Sequence, residues 1–447
     1  MRNLKRALSL TLASVMLLGM MVVGSSAAGF PDVDEKDNVE AIEVLQAVAV
    51  MVGDKDTGNF RPDAPVSRAE MAVIMSNLLG LTTSYYVSTC PFEDVSGSYS
   101  WARGPVGAAY ASKVLSGRTA TTFDPAATVT AVEAASMIMR GLGYFQHTGD
   151  FADGFNVATV RQANLIGLFS GIKGDATTPL TRNQVAQMAL NALQANIVDF
   201  PGTPGIKFDG VEVGYKAEYT PRTSPDGKYA AIGKLVSNIG TTDQYYVQLG
   251  EELYDGDLRL DDTTDAFGAP ARRWSYKSEE IGTYAKNELL HKEYSTKVTG
   301  RDLYDLLGAN VIKGWDIYVA IDGETDPTVN GLMFDDSDMT RNNNDSVGGT
   351  EKGVLTQVYM DTTNKEVYIV VINTYLAKAT EDYDAKNEEV DLDIFALATT
   401  SKHTSRNPDY IKNAIARTKD GYVYSTSVTV EDEDIDVSGV KDGDKFL

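Results

Sequence analysis

Hydrophobic positions follow two different periods along this chain, and the change falls near residue 200. Before it, apolar residues recur at helical spacing. Ile42, Leu45 and Ala49 line one predicted helix, and Met71, Ile74, Met75 and Leu78 line a second after the loop Gly53–Phe60. This helix-loop-helix order is written three times. The first copy runs from Phe30-Pro31-Asp32-Val33 through Phe60-Arg61-Pro62 to Ser67-Arg68-Ala69-Glu70. The second runs from Phe92-Glu93-Asp94-Val95 through Phe123-Asp124-Pro125 to Thr130-Ala131-Val132-Glu133, in the register 123 − 60 = 63. A worn third opens with Phe151-Ala152-Asp153, has Pro179-Leu180 in place of the Phe-x-Pro, and closes with Thr181-Arg182-Asn183-Gln184. Tandem units of this size bury their apolar faces against their own copies.

The run Phe200-Pro201-Gly202-Thr203-Pro204-Gly205 breaks the helical period and marks a linker over 199–210. Beyond it, Tyr245–Leu249, Ile317–Ile321 and Glu366–Ile372 are rich in β-branched and aromatic residues and predict strands. Val354–Met360 and Val367–Asn373 predict a hairpin closed by Asp361–Lys365, and Thr299 caps a helix to Leu307. The polar, Asn-rich stretch Asp335–Gly349 reads as a long surface loop or as the boundary between two β-rich modules, 211–334 and 350–447. Asp444–Leu447 reads as the start of a strand, either a final edge strand or a cut one. The expected fold class is therefore α+β and multidomain: an all-α bundle of three repeats, then a β-rich region with some helix.

Local chemistry explains part of the repeated motif. Ser67 with Glu70, Thr130 with Glu133 and Thr181 with Gln184 have capping-box spacing at the start of each second helix. Arg68 and Arg182 then fall in the first helical turn, where the helix dipole disfavours a cation. A cation beside exposed helix amides fits a carboxylate or phosphate, an ordinary surface arginine being the other reading. Asp54, Asp56 and Asn59 read as a turn rather than a calcium loop, since the later bidentate Glu is missing.

Composition narrows the setting. Arg2, Lys5 and Arg6, an apolar run and the small residues Gly24–Ala28 predict a secretory signal peptide over 1–28. Its removal leaves (40 − 3) − 63 = −26, which argues against nucleic acid or anionic lipid as partner. No later stretch is apolar for long enough to span a bilayer. Cys90 is the sole cysteine, so no intramolecular disulfide forms. His147, His291 and His403 are the only histidines, far apart and in unlike contexts, and no nucleophile elbow, zinc motif or phosphate loop is present. No cofactor is expected, calcium bridging of clustered carboxylates being the one left open.

The ordered set of Phe-x-Asp-Val, Phe-x-Pro and Ser/Thr-Arg-x-Glu/Gln resembles the S-layer homology module, over roughly residues 29–195. The resemblance implies three modules, 29–85, 86–146 and 147–198, arranged three-fold and docked on a secondary cell-wall polysaccharide that is acidic and often pyruvylated. It implies that Asp32, Asp94 and Asp153, Arg68 and Arg182, and Trp101 contact that glycan, with the indole stacked on a sugar ring. A half-buried core aromatic is the other reading of Trp101. Repeat two has Ala131 in the Arg position, and repeats one and three lack a Trp near Asn38 or Asn156, so fewer than three working sites are expected. The function implied is that of a secreted, non-enzymatic protein of a bacterial cell wall or surface. It would display its β-rich region as an S-layer subunit or scaffold, with self-association into a lattice left open. The alternatives are an anchored glycan hydrolase and an adhesin.

Overall fold

The computed structural model describes residues 29–397 apart from 35, 201–206, 209–210, 213–218, 233–234, 240–241, 296–297, 322, 324, 326–327, 330–331, 334, 345, 349–353, 374–375 and 388, and then 422–431 and 439–446. The expected signal peptide and most of the expected linker lie outside the described residues. Two compact units emerge, Gly24–Asp261 with Arg273–Gly282, and Asp262–Arg272 with Thr283–Leu447. The first unit thus runs well past the expected linker and also takes ten residues from the β-rich region.

Six helices build the repeats of the first unit: α1 (Val39–Ala47), α2 (Arg68–Leu78), α3 (Arg103–Ala111), α4 (Ala131–Gly141), α5 (Phe155–Leu165) and α6 (Arg182–Leu193). The first helix of each copy packs on the second helix of the copy before it, α3 on α2, α5 on α4, and α1 on α6. The residue before each N-cap completes the closure. Val66 N donates to Leu180 O (3.0 Å), Leu180 N to Val129 O (2.9 Å), and Val129 N back to Val66 O (2.9 Å). All three of these residues are buried, so the ring gives each buried amide the partner it needs.

The ring also sets the register of the worn copy. Pro179-Leu180 stands opposite Pro65-Val66 and Thr128-Val129, so it does not replace the Phe-x-Pro. Counting back by the N-cap offset, 181 − 130 = 51, the counterpart of Phe123 is residue 123 + 51 = 174, a glycine. The first helices align through the left-handed residues that end them, Ala49, Lys113 and Gly167, at φ of 57°, 59° and 72°.

Trp274, from the added segment 273–282, is fully buried, and its Nε1 donates to Glu40 Oε1 at the start of α1 (2.8 Å). One indole therefore fastens this late segment to the repeats.

In the second unit, β1 (Leu290–Tyr294), β2 (Asp316–Ile321), β3 (Val354–Asp361) and β4 (Glu366–Asn373) form one sheet in the order β1-β3-β4-β2. The hairpin β3–β4 pairs Val354 with Asn373 through Asp361 with Glu366. Asp361 Oδ1 accepts the amides of Thr363 and Asn364 and so holds its turn. β2 pairs with β4 in parallel, Tyr318 opposite Tyr368. Because β4 is internal and has a neighbour on each edge, its run Val367–Val371 is apolar at nearly every position.

Over its described residues, 335–344 and 346–348, the stretch 335–349 neither loops out nor divides the unit. It contains a short helix, Asp336–Met339, and a strand, Ser346–Gly348, and it buries Met339 and Val347 in the same core as Val319, Val358 and Ile369. Strands from both sides of it lie in one sheet. Two buried apolar anchors explain this in spite of the polar composition. A second sheet joins Leu376–Ala379, Glu389–Leu397 and Tyr422–Glu431, with Lys445–Phe446 pairing at its edge.

Candidate functional site

The capping pairs are present at all three second helices. Ser67 Oγ accepts from Glu70 N (3.2 Å) while Glu70 Oε2 accepts from Ser67 N (2.8 Å). Thr130 with Glu133 and Thr181 with Gln184 make the same reciprocal pair. Ser67→Ala is expected to lower stability by about 0.5–2 kcal/mol, read as the shift of the urea midpoint followed by Trp274 fluorescence in a Trp101→Phe and Trp315→Phe background.

Asp32 and Asp94 turn inward to their own loops. Asp32 Oδ1 and Oδ2 accept the amides of Phe60 and Arg61, both at 2.7 Å, and Asp94 accepts those of Phe123 (2.9 Å) and Asp124 (2.7 Å). Arg61 and Asp124 are left-handed, with φ of 59° and 63°. The carboxylate thereby holds a backbone shape that side-chain-bearing residues seldom adopt.

Arg68 and Arg182 reach into the next copy's loop instead of toward solvent. Arg68 Nε donates to Phe123 O and Nη2 to Ser116 O, both at 2.9 Å. Arg182 Nε donates to Phe60 O (2.6 Å) and Nη2 to Val52 O (3.0 Å). The guanidinium carbons lie 4.5 Å from the Phe123 ring centre and 4.7 Å from that of Phe60. Only 4% of Arg68 and 9% of Arg182 is exposed, which argues for a joint between copies more than an open ligand. Burial lowers the pKa of both guanidinium groups, though both stay charged at neutral pH. The dipole cost of a cation in the first turn is offset by these contacts, which are distant in sequence.

The joint between copies two and three lacks this lock. Ala131 stands where an arginine would reach toward Gly174, and a glycine offers no ring to cover. Asp153 pairs with Arg161 on the surface (2.8 Å, both more than half exposed) and leaves the third loop alone. The arginine of one copy and the phenylalanine of the next are missing together, as expected of residues that touch.

Between these joints lies a cleft of about 170 Å³, lined by Arg68, Arg118, Glu133, Arg140 and Phe155. Arg118 Nη1 pairs with Glu133 Oε1 (2.9 Å). Arg140 Nε is buried with no hydrogen-bond partner, and desolvation lowers the pKa of its guanidinium. Phe155 is 40% exposed. It precedes the left-handed Gly167 by 167 − 155 = 12 residues, as Trp101 precedes Lys113 by 113 − 101 = 12, so the two aromatics hold equivalent positions. Trp101 lies in the 3₁₀ turn Gly97–Ala102 rather than on α3 itself, and it is 53% exposed, which removes the core reading. That turn packs on α2.

The structure therefore brings Asp32, Glu70 and Arg182 together around the Phe60 loop, and Asp94, Glu133 and Arg68 around the Phe123 loop, while Asp153 stays apart. Arg118, Arg140 and Phe155 escape motif reading. The fixed spacing to the end of the first helix is the signal that finds Phe155, and the two arginines leave none. Among the described residues no group of three His, Cys, Asp or Glu is placed to hold a metal, and no helix is long and apolar enough to cross a membrane.

Comparison with known proteins places the first two copies in a family. The S-layer homology domain matches residues 29–72 and 91–135. The chain is 26% identical over 395 residues to a "Cell surface protein" of Thermoanaerobacter kivui, covering 78% of this chain and 49% of that protein. It is 27% identical over 201 residues to a "Middle cell wall protein" of Brevibacillus brevis, covering 44% and 18%. It is 28% identical over 156 residues to an "Endoglucanase" of Bacillus sp. (strain KSM-635), covering 33% and 16%. The chain thus spans about half the length of the first of these relatives and under a fifth of the other two. It carries S-layer homology modules and belongs at the cell wall or cell surface.

Proposed function

We propose that residues 29–198 hold this chain non-covalently on an acidic, pyruvylated cell-wall polysaccharide, with 147–198 as a third module closing a three-fold bundle. The chain then serves as a non-enzymatic S-layer subunit or surface scaffold that displays its β-rich unit. The observation that carries this reading is the charge of the cleft. Arg118 and Arg140, with the buried Arg68 also in the lining, outnumber the carboxylates of Glu133 and, beside Arg118, Asp124, in a chain whose net charge is −23. A cationic cleft on an acidic protein selects an anion. Phe155 supplies the apolar face for a sugar ring, and Trp101 supplies one beside α2. In this reading Asp32, Asp94, Arg68 and Arg182 shape the grooves, and Arg118 and Arg140 meet the ligand's acid.

The test is sedimentation of the full chain with purified Gram-positive cell wall, before and after chemical removal of its secondary polysaccharide. Binding is expected to intact wall alone. Arg118→Gln with Arg140→Gln is expected to weaken it by about tenfold or more, since two charge-assisted contacts are lost. Retention on stripped wall would overturn the assignment of the polysaccharide, and release of reducing ends from wall glycan would favour the hydrolase.

A further inference from the structure

A second cleft, in the β-rich unit, is independent of the repeats. It encloses about 380 Å³, within the range of about 300–1,000 Å³ typical of small-molecule sites. Tyr318, Tyr368, Lys286, Asp262, Glu366 and Asn364 line it.

The parallel register that pairs Tyr318 with Tyr368 puts both rings on one face of the sheet, with centres 5.0 Å apart and planes at 29°. Tyr318 lies on an edge strand and keeps 47% of its surface exposed, while its neighbours Val319 and Ala320 are buried. The wall opposite is rigid. Asp265 Oδ1 accepts the amides of Phe267 (2.9 Å) and Ala269 (2.8 Å), and Gly268, at φ +86°, comes so near Ala320 that a Cβ would lie 2.3 Å from the Ala320 Cβ. The polar groups are already oriented. Lys286 Nζ pairs with Asp262 Oδ1 (2.6 Å), with the lysine side chain only 15% exposed, and Tyr368 Oη donates to Glu366 Oε2 (3.0 Å).

We infer that this cleft binds a neutral pyranose unit of a glycan, stacked on Tyr318. The aromatic wall provides flat apolar area for the C–H face of a sugar ring. Around it stand one ammonium, Lys286, two carboxylates, Asp262 and Glu366, and groups that both donate and accept, the Asn364 amide and the Thr264 and Thr325 hydroxyls. That mixture suits hydroxyl groups, which donate and accept alike. An anionic ligand meets two carboxylates against one ammonium and is disfavoured.

The test is calorimetric titration of the full chain with chitopentaose, cellopentaose and trigalacturonate. The first carries the N-acetylated β-1,4 linkage of a wall glycan backbone, the second stands for an external glucan, and the third is the acidic control. Saturable binding of one neutral oligosaccharide is expected, with trigalacturonate weaker. Tyr318→Ala should weaken that binding by about tenfold or more, whereas Tyr318→Phe retains it, because the ring face and not the hydroxyl makes the contact. The cleft variant Arg118→Gln with Arg140→Gln in the repeats should bind the neutral sugar as the unaltered chain does, which separates this site from wall anchoring. The inference is overturned if neither neutral probe binds, if trigalacturonate binds more tightly, or if Tyr318→Ala binds unchanged.

Discussion

Arg182→Ala is expected to destabilise the first unit by about 3–5 kcal/mol, the sum of two charge-assisted hydrogen bonds and a cation–π contact. The guanidinium spans from the third copy to the carbonyls of Phe60 and Val52 in the first, so its loss leaves the side-chain level of the joint that closes the ring to Asn183, which bonds Asn38 and Asp37. Urea unfolding followed by the fluorescence of buried Trp274, in a Trp101→Phe and Trp315→Phe background that removes the other two indoles, reads this unit. Arg182→Lys should fall between, because an ammonium cannot place two fixed donors and cover a ring at once. Ala131→Arg, at the equivalent place in copy two, should restore little stability, since Gly174 offers no ring. A midpoint for Arg182→Ala equal to that of the unaltered chain would show that the arginine is no joint, and would return it to the ligand role its motif implies.

Asp94→Ala is expected to cost about 2–4 kcal/mol, since two amides lose a charged acceptor at a left-handed turn. The same loop carries Phe123, whose carbonyl and ring receive Arg68. The double variant Asp94→Ala with Arg68→Ala should therefore cost less than the sum of the singles, the mark of two residues acting on one structure. Asp153→Ala is the control. Its exposed pair with Arg161 is worth about 0–1 kcal/mol. Equal losses at Asp94 and Asp153 would sink the distinction between a loop-holding aspartate and a surface one.

These two results bear on how motif and site relate. The aspartate and arginine of the repeated motif are ligand residues by the resemblance alone, and the order of the residues leaves the arginine open between an anion site and an ordinary surface residue. In three dimensions they hold loops and join copies, and of the cleft's arginines only Arg68 belongs to the motif, while Arg118, Arg140 and the exposed aromatics Phe155 and Trp101 lie outside it. Arg118 and Arg140 carry no pattern of their own, since a single arginine on a helix or in a loop is indistinguishable from a surface residue until its surroundings are known.

Features settled by neighbours a few residues away are legible in the order of the residues alone. The capping boxes span three residues, the helix faces recur every three or four, and the Asp361 turn closes on amides two and three positions on. Interactions of that reach follow from order along the chain, and a triplicated order makes them unmistakable. What depends on distant partners is not legible there. Arg68 meets carbonyls 48 and 55 residues away, Arg182 meets them 122 and 130 away, and Trp274 finds Glu40 at 234. The parallel pairing of Tyr318 with Tyr368 belongs to the same class, as does the return of residues 273–282 to the first unit. Each is chosen by which surfaces remain unburied once the local elements exist, a competition among all parts of the chain that no single stretch of residues contains.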